Sequence, residues 1–219
     1  MKPNASFEKL LLAFFAFIGL LIISRIIYSG TFNFIFLSWN IFLAWIPCQL
    51  SYMLLKTDPQ KKWQQRFLLA TWLLFFPNAL YIITDLIHLD LETSVPKWFD
   101  VILLFTSAVV GLMLAFISLF RIEKYLANTI SEKKLPWLIL GILFLGSFGV
   151  YLGRFLRWNS WDILSNPLGL ISTIAQRFIF PVQHFRTWCV TIMLTALFYL
   201  LYQVVKKMPA YISQPSSRY

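Results

Sequence analysis

Read for the spacing of its apolar positions, the chain falls into six long hydrophobic runs, at residues 10–27, 33–55, 66–88, 98–120, 136–157 and 184–205. Each is near the ~20 residues that ~30 Å of hydrocarbon demands of a helix, so the pattern predicts an all-α fold, a polytopic bundle of six transmembrane spans. Lys2 and Lys9 precede the first run, but no small-x-small cleavage site follows it, and a retained first helix is expected. A further stretch has helical spacing without the length to cross. Asn166-Pro167 offers an N-cap with Pro at the first helical position; Leu168, Ile171, Ala175 and Phe178 then recur on one face, opposite Ser172, Thr173 and Gln176. This predicts a short interfacial helix over 167–179. No internal repeat and no Pro/Gly/Ser-rich linker splits the chain, so one integral membrane domain over 1–219 is expected.

The third run interrupts its own hydrophobicity. In Trp72 to Leu89, Asn78, Tyr81, Asp85 and His88 stand at i, i+3, i+7 and i+10, which places them on one stripe of a helix. Pro77 in the middle frees a backbone carbonyl near Leu73 and predicts a kink. Asn78, deep in the run, is expected to bond another helix or that carbonyl, because an unsatisfied amide there is expensive. Asp85 and His88, three apart, have the spacing for a carboxylate to orient an imidazole or for both to hold a metal. Two ligands do not make a metal site, and none is predicted; the plainer reading is a span that ends at the water interface.

Composition enforces the membrane reading: 59% of the 219 residues are hydrophobic and 13% charged, with mean hydropathy +0.71, more apolar surface than a soluble domain of this size can hide. A net charge of +10 would point to nucleic acid in a soluble protein. Here the basic residues sit in short clusters between the runs, so no nucleic-acid partner is expected and the bilayer is the surrounding medium. Thirteen of the 19 Lys and Arg fall on one side of a six-span arrangement, which the positive-inside rule makes the cytoplasm, with both termini there. On the other side Arg25, Lys97, Arg154, Arg157, Arg177 and Arg186 stand against Asp85, Asp90, Glu92, Asp100 and Asp162. Cys48 and Cys189 each lie alone in an apolar run and predict packing roles. Without a Gly-rich phosphate loop or a CxxC pair, no cofactor is predicted.

A second polar constellation is Tyr151 to Asp162, YLGRFLRWNSWD, where Arg154 and Arg157 are one turn apart near Asn159 and Asp162. Paired guanidiniums can grip phosphate or carboxylate; the plain alternative is that they snorkel to headgroups beside a belt of Trp158 and Trp161. Asn40 in the second run and Arg25 in the first approach the same outer level, and Asp100 at the start of the fourth is expected to complement a helix N-terminus.

FPNALYIITDLIHL at 76–89, WNIFLAWIP at 39–47 and YLGRFLRWNSWD at 151–162 together resemble the bacterial integral-membrane family catalogued as domain of unknown function 1361. Leu80 departs from the pattern, standing where a second proline is expected after Pro77. The resemblance implies a multi-helix protein of the bacterial plasma membrane and brings no activity and no catalytic residue with it. From the residues, the leading expectation is an outward-facing polar site that binds or processes an anionic lipid or envelope precursor. Arg154 and Arg157 would be its clamp and Asp85 and His88 its acid and base, or ligands, with Arg25, Asn40, Asn78, Tyr81, Asp100, Asn159 and Asp162 in support. A structural or assembly protein and a small-solute or ion-coupled transporter are the alternatives; whether the site is catalytic, and the oligomeric state, are left open by the residues.

The charge pattern yields a topology that reporter fusions can check. Reporters after Thr57 and Ser131 should read cytoplasmic and one within Leu91 to Ser94 external; the reverse pattern would remove the orientation.

Overall fold

The computed structural model describes residues 5–90 and 94–213, and within them the chain is helical, with no strand among the described residues. Lys2, Glu92 and Arg218 of the charge pattern, and the reporter position at 91–93, lie outside the described residues. The helices are α1 (Ala5–Ser29), α2 (Phe36–Lys56), α3 (Lys62–Tyr81), a 3-10 helix (Ile82–Asp90), α4 (Lys97–Leu126), α5 (Leu135–Leu156), α6 (Asp162–Ser165), α7 (Pro167–Ile179) and α8 (Phe185–Ile212). Among the described residues, five stretches are long and apolar enough to cross a membrane: Ser6–Ser29, Lys62–Leu89, Lys97–Leu126, Leu135–Leu156 and Phe185–Ile212. They are what a membrane protein requires. α2 is not among them. Its 21 residues give it the length, but Ser38, Asn40, Pro47, Gln49 and Ser51 dilute its apolar character.

The chain divides into two compact units, Met1–Tyr125 and Leu126–Tyr219. In the first, α2 packs along α3, and the 3-10 helix touches both. α1 is the least buried of the five long apolar helices. Its fully buried residues among those described are Ile18, Ile22 and Arg25, one stripe at i, i+4 and i+7, and it ends where Gly30 takes a positive φ of 64°. α4 is the most buried of the five. One of its faces carries Asp100, Ser107, Gly111 and Ser118, at i, i+7, i+11 and i+18, all small or polar.

The third span continues as α-helix through Pro77 and then tightens to 3-10 form at Ile82 for nine residues, where runs beyond three or four are uncommon. Two features of the sequence favour this. Thr84 Oγ1 donates to the Tyr81 carbonyl at 2.6 Å and His88 Nδ1 bonds the Asp85 carbonyl at 2.9 Å, both three residues back and so in step with the tighter turn. The junction also closes on α4: a Cβ at Gly111 would lie 2.9 Å from Ile82 Cδ1 and 3.1 Å from the Ala79 carbonyl oxygen.

Arg121 and Lys124, expected in a loop, belong to the last turns of α4. Arg121 Nη1 donates to the Cys48 carbonyl at 2.8 Å, and its guanidinium lies 5.4 Å from the Tyr52 ring, which also carries Lys56 Nζ at 4.3 Å. Cys48 is buried as expected, whereas Cys189 is exposed on α8, so the packing role fits only the first; neither forms a disulfide.

In the second unit α5 pairs with α8, and α6 abuts α7. Phe148 of α5, Phe178 of α7 and Trp188 of α8 form one aromatic cluster, with centroid separations of 5.9, 5.9 and 4.9 Å. The N-cap read at Asn166 is made: its Oδ1 accepts from the Gly169 amide at 3.1 Å.

Gly111 provides the packing test. Ile82 Cδ1 can swing aside, but the Ala79 carbonyl is backbone, so Gly111→Ala should destabilise the purified protein by about 1–3 kcal/mol in thermal unfolding. An unchanged melting temperature would mean that α4 does not approach the α3 junction this closely.

Candidate functional site

Most of the polar residues singled out in the first three spans and at the start of the fourth converge at one end of the first unit. Arg25, 1% exposed, turns its guanidinium to Asp100 in the first turn of α4, Nε donating to Oδ1 at 2.8 Å and Nη2 to Oδ2 at 3.2 Å. Asp100 therefore sits where a helix N-terminus welcomes an acid and also answers a buried cation. The guanidinium carbon lies 4.1 Å from the centroid of the Phe34 ring, in the turn between α1 and α2. Its third nitrogen, Nη1, is buried without a hydrogen-bond partner.

The contacts run on from there. Phe34 meets Phe36 at 5.9 Å between ring centroids, and Phe36 meets the imidazole of His88 at 4.8 Å. His88 bonds the backbone carbonyl of Asp85, whose side chain, in a residue 1% exposed, accepts from Asn40 Nδ2 at 2.8 Å. Asp100, Arg25, Phe34, Phe36, His88, Asp85 and Asn40 thus form one chain of contacts through four elements.

The Asp85–His88 pairing takes a form the spacing does not reveal. In 3-10 geometry residues three apart eclipse, and the imidazole bonds the main-chain oxygen of Asp85. A carbonyl only accepts, so Nδ1 must carry the proton, and in the neutral ring the lone pair is left on Nε2. His88 is half-buried. The arrangement can therefore present a base, or an acceptor, next to the buried Asp85, with the buried Arg25 guanidinium two aromatic rings away. No group of three or more His, Cys, Asp or Glu that could hold a metal occurs among the described residues.

Asn78 and Tyr81 lie a turn or more earlier. Asn78 Nδ2 donates to the Phe75 carbonyl at 3.0 Å, within its own helix, and the Tyr81 carbonyl receives Thr84. Both side chains are half-buried.

Arg154, Arg157, Asn159 and Asp162 belong to the second unit. α5 stops at Leu156, and Arg157 follows in the left-handed conformation, φ 59° and ψ 30°, while the Trp158 amide reaches back to the Leu152 carbonyl at 3.1 Å. The helix therefore ends on a left-handed residue, with arginine where glycine is usual, at a cost of roughly 1–2 kcal/mol. The helical spacing that would align Arg154 with Arg157 therefore ends one residue short of Arg157; the second is exposed and the first half-buried. Asn159 and Asp162 make a reciprocal turn: the Asp162 carboxylate accepts the Asn159 amide at 2.7 Å and Ser165 Oγ at 2.8 Å, and the Asp162 amide donates to the Asn159 carbonyl. The bond from the Asn159 amide, then that from Ser165, hold the Asp162 carboxyl below the usual carboxylate range. Its contribution to the turn is present above the ordinary Asp pKa and lost as pH falls through the lowered one.

Sequence spacing does not single out Phe34 and Phe36, which join the two halves of the contact chain. Their only signal is aromatic residues flanking the short turn between two spans.

The family described as Protein of unknown function (DUF1361) matches residues 39–201, and the chain belongs to it. No curated protein and no solved structure matches the chain.

The buried ion pair can be tested by asking what each partner does alone. Arg25→Leu, which takes the cation from the Asp100 carboxylate, should cost about 3 kcal/mol or more of unfolding free energy in detergent, and Arg25→Leu with Asp100→Leu should recover most of it. A double variant no more stable than the single one would show that the two residues do not act as a pair.

Proposed function

We propose that the chain is a multi-pass protein of the bacterial plasma membrane with six spans, α2 included, both termini cytoplasmic and α7 lying in the outer interface. The match over residues 39–201 crosses from the first unit into the second, which supports treating the chain as one integral membrane domain. In this orientation the chain of contacts through Arg25, His88, Asp85 and Asn40 faces outward and serves an anionic lipid or envelope precursor.

The observation that carries this reading is the unpartnered Nη1 of a fully buried guanidinium, in the same contact chain as an imidazole whose Nε2 is left as an acceptor. Arg25 supplies the cationic donor, Asp100 holds it, and His88 is the group through which any proton transfer would pass. In the second unit the strained, exposed Arg157 fits an anion contact, since backbone strain of this kind collects at functional positions. Transport is less well supported. Ser107, Ser118 and Ser51 are buried in the first unit, but each hydroxyl closes on a carbonyl of its own helix, and Ile82 packs against Gly111, so these groups are not turned toward a passing solute.

The decisive experiment compares stability with function. Arg157→Gly, which relieves the left-handed strain, should melt no lower than the parent in detergent, and His88→Ala, which gives up the bond to the Asp85 carbonyl, should stay folded with only a small loss; both should fail to reverse the lipid and precursor changes of a deletion strain. Stable variants that fully restore the profile would take both residues out of any ligand site and leave a structural role.

A further inference from the structure

Three buried side-chain atoms without hydrogen-bond partners stand next to one another's neighbours in the second unit. Ser147 Oγ, Arg177 Nε and Thr187 Oγ1 are each buried and unpartnered. Each residue immediately precedes one ring of the aromatic cluster: Ser147 before Phe148, Arg177 before Phe178, Thr187 before Trp188. Those rings touch one another, and Trp188 Nε1 donates to the Arg177 carbonyl at 3.3 Å, so α5, α7 and α8 meet at this level. Thr191, one turn along α8 from Thr187, has a fourth unpartnered hydroxyl. Thr187, Thr191 and Ser147 are each 0% exposed.

A threonine inside a helix ordinarily satisfies its hydroxyl on the carbonyl four residues back, and Thr195 does so on Thr191 at 2.7 Å. Thr187 and Thr191, on the same stripe, do not. Several unsatisfied buried donors in one neighbourhood mark a place where something else completes the bonding. The hydroxyls can donate or accept, and the sign is set by the guanidinium N–H of Arg177 and by Thr187's place in the first turn of a 28-residue helix, at the positive end of its dipole. Arg177 Nη1 is engaged with the Thr173 carbonyl at 3.1 Å, which holds the side chain in place.

We propose that Ser147, Arg177, Thr187 and Thr191 form a second anion site, for a phosphate-type oxyanion, carried either by a lipid headgroup or by free phosphate. None of these residues belongs to the Arg25–His88 contacts, so the two proposals stand or fall separately.

The test uses the full-length protein in a zwitterionic detergent. Its thermal unfolding is followed against inorganic phosphate, against chloride at matched ionic strength, and against phosphatidylglycerol in mixed micelles. Phosphate or phosphatidylglycerol should raise the melting temperature where chloride does not. Thr187→Val with Thr191→Val, near-isosteric changes that remove only unsatisfied hydroxyls, should leave the unliganded protein folded and weaken the response roughly tenfold or more. Arg177→Gln should do the same; if it fails to fold, the valine pair decides alone. A response to free phosphate identifies a soluble oxyanion, and a response to phosphatidylglycerol alone identifies a headgroup. No response to either anion, or one of equal strength in the valine variant, overturns the site.

Discussion

A guanidinium can be kept from water only if its charge is answered nearby, and in the first unit Asp100 answers Arg25. α1 has little else to hold it. Beyond Arg25 its buried stripe consists of Ile18 and Ile22, while Leu10, Leu12, Leu20, Ile23 and Ile27 are all exposed. In lipid such a surface gives no hydrophobic drive toward protein, so the charge pair and its stacking on Phe34 fix where the helix docks and at what rotation. From that anchor the aromatic link through Phe36 sets the position of His88, and the 3-10 geometry sets which of its nitrogens is free. The chemistry available at this end of the unit thus rests on one buried ion pair.

The two ends of the first unit are built on different principles. At one, each carboxylate has a donor: Asp100 takes the Arg25 guanidinium and Asp85 the Asn40 amide. At the other, Arg121 and Lys56 lean on the Tyr52 ring, and Tyr125 Oη bonds Gln65 at 3.1 Å, contacts that let cations sit at a surface. In the middle, hydroxyls close on their own helices and Gly111 admits Ile82. Among the described residues, most buried polar side chains of this unit are paired with each other or returned to the backbone; the exceptions, Arg25 Nη1 and Trp72 Nε1, are candidate points of contact with something else.

The helices were legible in the sequence because hydrophobic length is a strong signal, and so was the cap at Asn166, whose chemistry is local. Arg25 and Asp100 were each visible as a costly charge, but the two are 75 residues apart and no spacing rule joins them. Arg121 was hidden by its company: among Lys124, Lys133 and Lys134 it reads as an orientation signal, although it bonds α2. Two conformational details could not be foreseen. The change to 3-10 form at Ile82 comes where a glycine of another helix lets the two approach, and the ending of α5 places an arginine where periodicity would simply have carried the helix one residue further. In each case the decisive partner lies outside the window in which a periodic pattern is read.

The tighter winding also changes reach. A 3-10 helix rises about 2.0 Å per residue against 1.5 Å for the α form, so the nine residues from Ile82 to Asp90 cover about 18 Å rather than about 13.5 Å. The same number of residues carries His88 a few ångströms farther from Pro77 than an ordinary helix would, and a relaxation to α form would draw it back by that distance while turning it away from Asp85. The segment works as an extended spacer whose length depends on its hydrogen-bond pattern, held at the long setting by Thr84, by His88 and by the fit of Ile82 against Gly111.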